Sequence, residues 1–211
     1  MNGSFLVTVG YVTIGPMNIQ KTAKRNVEIS GYTYFGLRGR VAYLIETDKP
    51  EELKQIILEA KKIKLPYFIL AGGSNIVVGN KKYPGLVIVY RRFSPVVIPV
   101  TCSNDRNHSG GRAAGIQIKN NLVDCPASIF LQDIIKISIS RGLAGLEHLS
   151  GIPGTISGAI FGNAGAYGHS IAEVVDKVLI FDGRKEVWLT KKDCGFSYRD
   201  SIFKKKTWAI L

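Results

Sequence analysis

Residues 145–168 read GLEHLSGIPGTISGAIFGNAGAYG, a stretch dense in glycine and alanine with few bulky side chains. Small residues at this density let main chain lie close against a flat, extended ligand, and Ile152 and Pro153 add apolar surface for a ring. Close backbone packing inside the protein is the alternative, because small residues permit that as well. Which of the two applies depends on what the rest of the chain brings to this stretch.

Upstream, Val41 to Glu46 is a short apolar run leading into Asp48-Lys49-Pro50-Glu51-Glu52. There Asp48 is expected to cap a helix that carries Pro50 in its first turn. Leu53, Ile56, Ile57 and Ala60 recur at helical spacing, and Tyr67-Phe68-Ile69-Leu70 follows as a strand, so this segment reads as a βαβ unit. Ala71-Gly72-Gly73-Ser74-Asn75 closes that strand. It has the small side chains that let backbone N–H groups face a diphosphate, with Ser74 and Asn75 as further donors, although a plain tight turn has the same composition. The loop matches neither GxGxxG nor GxxxxGK, which argues against classical NAD or ATP binding. Ile76-Val77-Val78 and Gly85 to Val89 are expected as two further strands around Gly79-Asn80.

Past Tyr90 the texture becomes polar, with turn-forming Asn104 to Gly111 between strand-like Val96 to Val100 and Ile116 to Val123. A helix containing Ile129, Ile134, Ile135, Ile137 and Ile139 should end at Arg141-Gly142. Val174 to Phe181 and Glu186 to Leu189 make a hairpin over Asp182-Gly183, and Thr207 to Leu211 is a last strand-like run. The organisation expected is α+β: an N-terminal extension over 1–17, since Met17 is itself a plausible start, a first lobe over 18–90 and a second over 91–211.

The 211 residues are 45% hydrophobic with a mean hydropathy of +0.10, enough apolar material for a sizeable core. A formal charge of +12 selects anionic partners. The lysines and arginines are scattered and not interleaved with aromatics, so no nucleic-acid surface is expected. Cys102, Cys125 and Cys194 form no CxxC pair, which points to a reducing compartment without disulfides or structural zinc. His148 and His169 lack ligand spacing, so no metal is expected either. With no membrane-spanning run and no secretory signal, the expected location is the cytoplasm. No sequence feature sets an oligomeric state.

Phe196-Ser197-Tyr198-Arg199-Asp200-Ser201-Ile202-Phe203-Lys204 offers an arginine flanked by a tyrosine and a carboxylate. Such an arginine can be aimed at a carboxylate or a developing enolate, or can form an ordinary surface ion pair.

Together and in this order, AGGSNIVV (71–78), GLEHLSGIPGTISGAIFGNAGAYG (145–168) and YRDSIFK (198–204) closely resemble the UDP-N-acetylenolpyruvoylglucosamine reductase family, in register from about Asn18 to Leu211. The resemblance implies a two-lobed FAD-binding fold of the vanillyl-alcohol oxidase type, with FAD between the lobes and a third, substrate-binding domain that this chain does not reach. It implies NADPH as reductant, hydride transfer from flavin N5 to the enolpyruvyl methylene of a UDP-sugar, and a place in peptidoglycan synthesis. By similarity Gly72, Gly73, Ser74, Asn75 and Ile76 hold the diphosphate, while Ile152, Pro153, Gly154, Thr155, Gly158, Ala159, Gly165 and Tyr167 line the flavin. Arg199 steadies the enolate-like intermediate and Tyr198 shapes the same pocket.

The family's proton-donating serine and its late glutamate fall beyond Leu211, and Ser201 is not that serine. Asp124-Cys125-Pro126-Ala127-Ser128 replaces a Gly-Ala-Gly-like turn, and the loop Thr101 to Arg112 is longer and more polar than is usual there. A non-catalytic FAD-binding remnant and a flavoprotein oxidase on the same scaffold are the competing readings.

Overall fold

The structure, a computed structural model, describes residues 18–79, 81–92, 115–119 and 121–211. A short helix, α1 (Ile19–Thr22), leads into β1 (Lys24–Glu28), which runs antiparallel to β2 (Arg40–Thr47). Helix α2 (Pro50–Lys62) then crosses to β3 (Tyr67–Leu70), and β4 (Tyr83–Tyr90) slots between β2 and β3, parallel to both. The sheet order is therefore β1-β2-β4-β3. The βαβ reading holds, with one strand inserted between its two strands.

Leu53, Ile56, Ile57 and Ala60 of α2 are buried, as their spacing predicts, against Ile45, Leu86, Ile88 and Tyr90. Each such large apolar side chain contributes about 1.5–3 kcal/mol on burial. Ile29, Val41, Leu44, Leu70, Val87 and Val89 form a second cluster, so the parallel strands carry near-continuous apolar runs.

Asp48 does not cap α2. Lys49 occupies the cap without a side-chain bond, and Thr47 acts instead: its Oγ1 accepts from Lys49 N at 3.2 Å and donates to Glu52 Oε2 at 2.8 Å. Ile76-Val77-Val78 forms no strand. The strand that pairs with β3 is β4, and the stretch between them runs outside the sheet, with Val77 78% exposed. The turn at Gly79-Asn80 and the strand at Val96 to Val100 fall at least partly outside the described residues.

The second half begins with a small hairpin, β5 (Gln117–Lys119) and β6 (Leu122–Asp124), in place of one continuous strand over Ile116 to Val123. Helix α3 (Leu131–Ser140) starts after Ile129, which packs as core outside it, and ends at Arg141-Gly142 as its sequence suggests. Then come α4 (Ile156–Gly162), the tight pair β7 (Gly165–Ala166) and β8 (His169–Ser170), and a three-stranded sheet. That sheet joins β9 (Lys177–Phe181), β10 (Glu186–Thr190) and β11 (Ala209–Ile210) in the order β10-β9-β11. Asp182 closes the β9–β10 turn, its Oδ1 accepting from Arg184 N and Lys185 N at 2.7 and 2.8 Å.

One continuous core joins the α2 side of the first sheet to Leu131, Ile134, Ile135, Val178, Ile180, Phe181 and Leu211. At the surface Lys54 bridges Glu51, at 2.6 Å, and Glu186 of β10. Among the described residues no helix is long and apolar enough to cross a membrane.

Candidate functional site

Loop 71–75 leaves the carboxyl end of β3 and meets loop 151–158, the run into α4. A methyl group at Gly72 would sit 2.5 Å from Gly154 Cα and 3.1 Å from Thr155 N, so the two backbones touch. Gly73 and Gly154 both have positive φ, +66° and +121°, which a side chain would strain. Glycine at these places is needed for protein packing itself, the alternative that the sequence left open.

What that packing leaves available is main-chain donors. None of the hydrogen bonds among the described residues engages the N–H groups of Gly73, Ser74 and Asn75 on one loop, or of Gly154 and Thr155 on the other. Buried main-chain donors are nearly always paired, and Gly73 and Thr155 are buried. Unclaimed N–H groups on glycine loops are the kind of donor that cradles phosphate in anion-binding nests.

Each loop is held from behind. Tyr34 N donates to Gly73 O at 2.8 Å, and the Tyr32 carbonyl packs against Gly73. Tyr32 is fixed in turn by its hydroxyl donating to Glu46 at 2.9 Å, while Lys24 Nζ lies 2.5 Å from the same carboxylate and Arg91 stacks over the Tyr32 ring. Burial works to raise the Glu46 pKa, but the bonds from Lys24 and Tyr32 outweigh it and hold the carboxyl below its ordinary value. The second loop lies along the start of α3: Leu131 N donates to Gly154 O, Ile156 N to Ile129 O and Ser157 N to Ala127 O, at 2.8–2.9 Å. Thr155 caps α4, its Oγ1 accepting from Gly158 N at 3.3 Å.

Tyr198 and Arg199 form the tip of a two-residue turn closed by paired bonds between Ser197 and Asp200, both 3.1 Å. Arg199 has φ +53°, Tyr198 is 91% exposed, and Lys204 Nζ donates to the Arg199 carbonyl. Among the described residues the Arg199 guanidinium has no ion pair, and Asp200 pairs with Lys205. The turn is anchored at its base. Asn163, left-handed at the end of α4, donates through Nδ2 to Ser197 O at 2.7 Å and accepts from Ala172 N, and Ser201 Oγ donates to Phe161 O at 2.7 Å. Helix α4 thus carries the glycine loop at one end and the Arg199 turn at the other.

Gly72, Gly73, Ser74, Gly154, Thr155 and Gly158 come together around the loop contact, where a methyl at Gly158 would meet Ala71 Cβ at an ordinary 3.6 Å. Pro153 is exposed, and Ile152 and Ile76 are half-buried. Gly165 answers a different need, since a methyl there would lie 2.5 Å from His169 O in the β7–β8 hairpin. Tyr167 stands 88% exposed at the tip of that hairpin. Tyr32, Glu46 and Asn163 escaped the sequence reading; Asn163 alone left a trace, an asparagine directly after a helix, where the left-handed conformation favours that residue.

Glu147 is bonded to Gly145 N, and its neighbour His148 stacks on His169 with ring centres 3.9 Å apart. Neither histidine joins a metal-binding group among the described residues. Cys125 and Cys194 are unpaired thiols, pushed up to about 12 and about 11 by burial.

Fold and loops together define a two-lobed α+β module in which two glycine loops meet and leave main-chain donors unclaimed. The chain belongs to the FAD binding domain family, whose pattern matches residues 41–188. It is 35% identical over 184 residues to a UDP-N-acetylenolpyruvoylglucosamine reductase from Solibacter usitatus, covering 87% of this chain and 52% of that protein. It is 32% identical to one from Caldanaerobacter subterraneus, covering 88% and 55%.

Among solved structures, the UDP-N-acetylenolpyruvylglucosamine reductase from Thermus caldophilus aligns with a TM-score of 0.65 at 25% identity, over 89% of this chain and 59% of that one. An alkyldihydroxyacetonephosphate synthase, at 16% identity and a TM-score of 0.51, shares the fold. The chain therefore spans between half and three-fifths of the length of these reductases. The fold expected from the sequence, of the vanillyl-alcohol oxidase type, is the one these likenesses show.

Proposed function

We propose that residues 18–90 and 91–211 are the two lobes of an FAD site, in a cytoplasmic enzyme that reduces the enolpyruvyl group of a UDP-sugar with NADPH for peptidoglycan synthesis. The observation that carries this reading is the set of unclaimed N–H groups on the touching loops. Donors on Gly72, Gly73, Ser74, Asn75 and Ile76 suit a diphosphate. Ile152, Pro153, Gly154, Thr155, Gly158, Ala159, Gly165 and Tyr167 supply the small and apolar surface that a flavin ring needs. When bound, FAD would supply hydride transfer between NADPH and the enolpyruvyl carbon.

Arg199 has the chemistry for the charge that then develops beside the substrate carboxylate. A fixed cation that meets negative charge only during reaction lowers the barrier selectively. The turn between Ser197 and Asp200 fixes its main chain, and the absence of an ion partner among the described residues leaves the guanidinium available. Tyr198, beside it at the tip, suits a role in binding the substrate.

Purified chain titrated with FAD should quench flavin fluorescence at one equivalent, and a flat titration overturns the reading. In a chain that completes turnover, Arg199→Ala should leave reduction of the flavin by NADPH within about twofold and slow reoxidation by the enolpyruvyl substrate about a hundredfold or more. Equal damage to both half-reactions would remove Arg199 from this role. FAD binding with no turnover would favour a non-catalytic binding module.

A further inference from the structure

Gln132, in the first turn of α3, reaches with its carboxamide into the loop that leads to Gly154. Its Nε2 donates to Ile152 O at 3.0 Å and to Leu149 O at 3.3 Å, and its Oε1 accepts from Gly151 N at 3.2 Å. Two carbonyls and one N–H call for an acceptor and two donors on one planar group, which an amide has and a carboxylate lacks. From Gly154 onward the loop is tied to the α3 start by main-chain bonds. Before it, among the described residues, no other side chain bonds the main chain of Leu149 to Ile152.

That stretch contains Gly151 and runs into Gly154, both at positive φ, so its unrestrained form has many conformations to lose. Ordering a loop at the moment of binding weakens affinity, and ordering it beforehand restores it. We propose that Gln132 is a positioning residue for cofactor binding, its carboxamide holding Leu149 to Gly154 in the shape that presents the Gly154 and Thr155 N–H groups. The proposal rests on reading that loop as part of the FAD site.

Gln132→Glu tests it with a pH signature. At pH 8 the carboxylate would face two carbonyl oxygens with no donor. Facing those two carbonyls raises the carboxyl above its ordinary value of about 4.3, so at pH 5 it is largely protonated, has one O–H for Ile152 O and still accepts from Gly151 N. FAD affinity of the full chain, measured by fluorescence titration, should fall about tenfold in this variant at pH 8 and recover to within about threefold of the unsubstituted chain at pH 5, with the latter's own pH dependence as reference. Gln132→Met, which keeps the length and removes all three bonds, should stay weak at both pH values.

Gln132→Glu binding as tightly as the unsubstituted chain at pH 8 overturns the proposal. So does a loss in that variant that pH 5 does not relieve, because a purely structural defect would show that pattern. Failure of the unsubstituted chain to bind FAD sinks the flavin reading and this role with it, whereas normal binding unaffected by either substitution sinks this role alone.

Discussion

Around Gly72 and Gly154 the chain leaves main-chain N–H groups unclaimed, whereas at Tyr198 and Arg199 it projects side chains, and the two regions are built accordingly. The glycine loops are pressed together until no side chain fits between them, and each is braced along its length by strands, helix starts and the Tyr32–Glu46 pair. The Arg199 turn is free at its tip and fixed only at its base, through Asn163 and Ser201. A main-chain site is specified by what must be absent. A side-chain site is specified by what holds the residue that is present.

The sharpest way to break the contrast is at Gly72. Gly72→Ala places a methyl against Gly154 Cα and Thr155 N, main-chain atoms that must shift, so the expected costs are about 1–3 kcal/mol of stability and a loss of FAD affinity of about a hundredfold. Gly158→Ala is the control from the same region: its methyl meets Ala71 at ordinary contact distance inside α4, and alanine there should raise unfolding free energy by about 0.5–1 kcal/mol. If Gly158→Ala also weakens FAD binding, that glycine answers to the ligand and not to packing. Denaturant melts beside titrations read both.

At the other region, Asn163→Leu removes the bond to Ser197 O and puts a branched side chain at φ +43°, for an expected loss of about 2–4 kcal/mol. Restraint on the Tyr198–Arg199 turn should fall with it, read as faster amide exchange at Ser197 and Asp200. Unchanged exchange would mean that the turn holds itself.

The smallest effect is alkaline. Burial raises Cys125 to about 12 and Cys194 to about 11, so unfolded thiols ionise first and stability from these groups, complete below their ordinary value near 9, declines as pH rises toward 11–12. Native chain at pH 8 should therefore react with thiol reagents far more slowly at these two positions than urea-unfolded chain.

The strongly periodic elements were legible in the sequence. Helix α2 showed its buried stripe, α3 its isoleucines and closing glycine, and the β9–β10 hairpin its Asp-Gly turn. Ile76 to Val78 misled because three apolar residues look like a strand wherever they fall, while the pairing of β3 with β4 is a fact of topology that no local pattern carries. Thr47 and not Asp48 bonds the start of α2 for a similar reason, since the geometry of one turn chooses between adjacent polar residues.

Within the site, glycine density marked the loops, but not that Gly72 answers Gly154 across the molecule. Gln132, Tyr32 and Glu46 were invisible, because each acts through a partner distant in sequence and none belongs to a motif.

That contact between Gly72 and Gly154 also governs the order in which a binding site can come into being. During synthesis the first loop emerges well before β4 locks its strand in place, and far ahead of the residue it must press against. A nascent chain released short of α4 would have a complete four-stranded sheet and a glycine loop with no facing wall. Capture of the dinucleotide should thus be a late event, reporting that both halves have met.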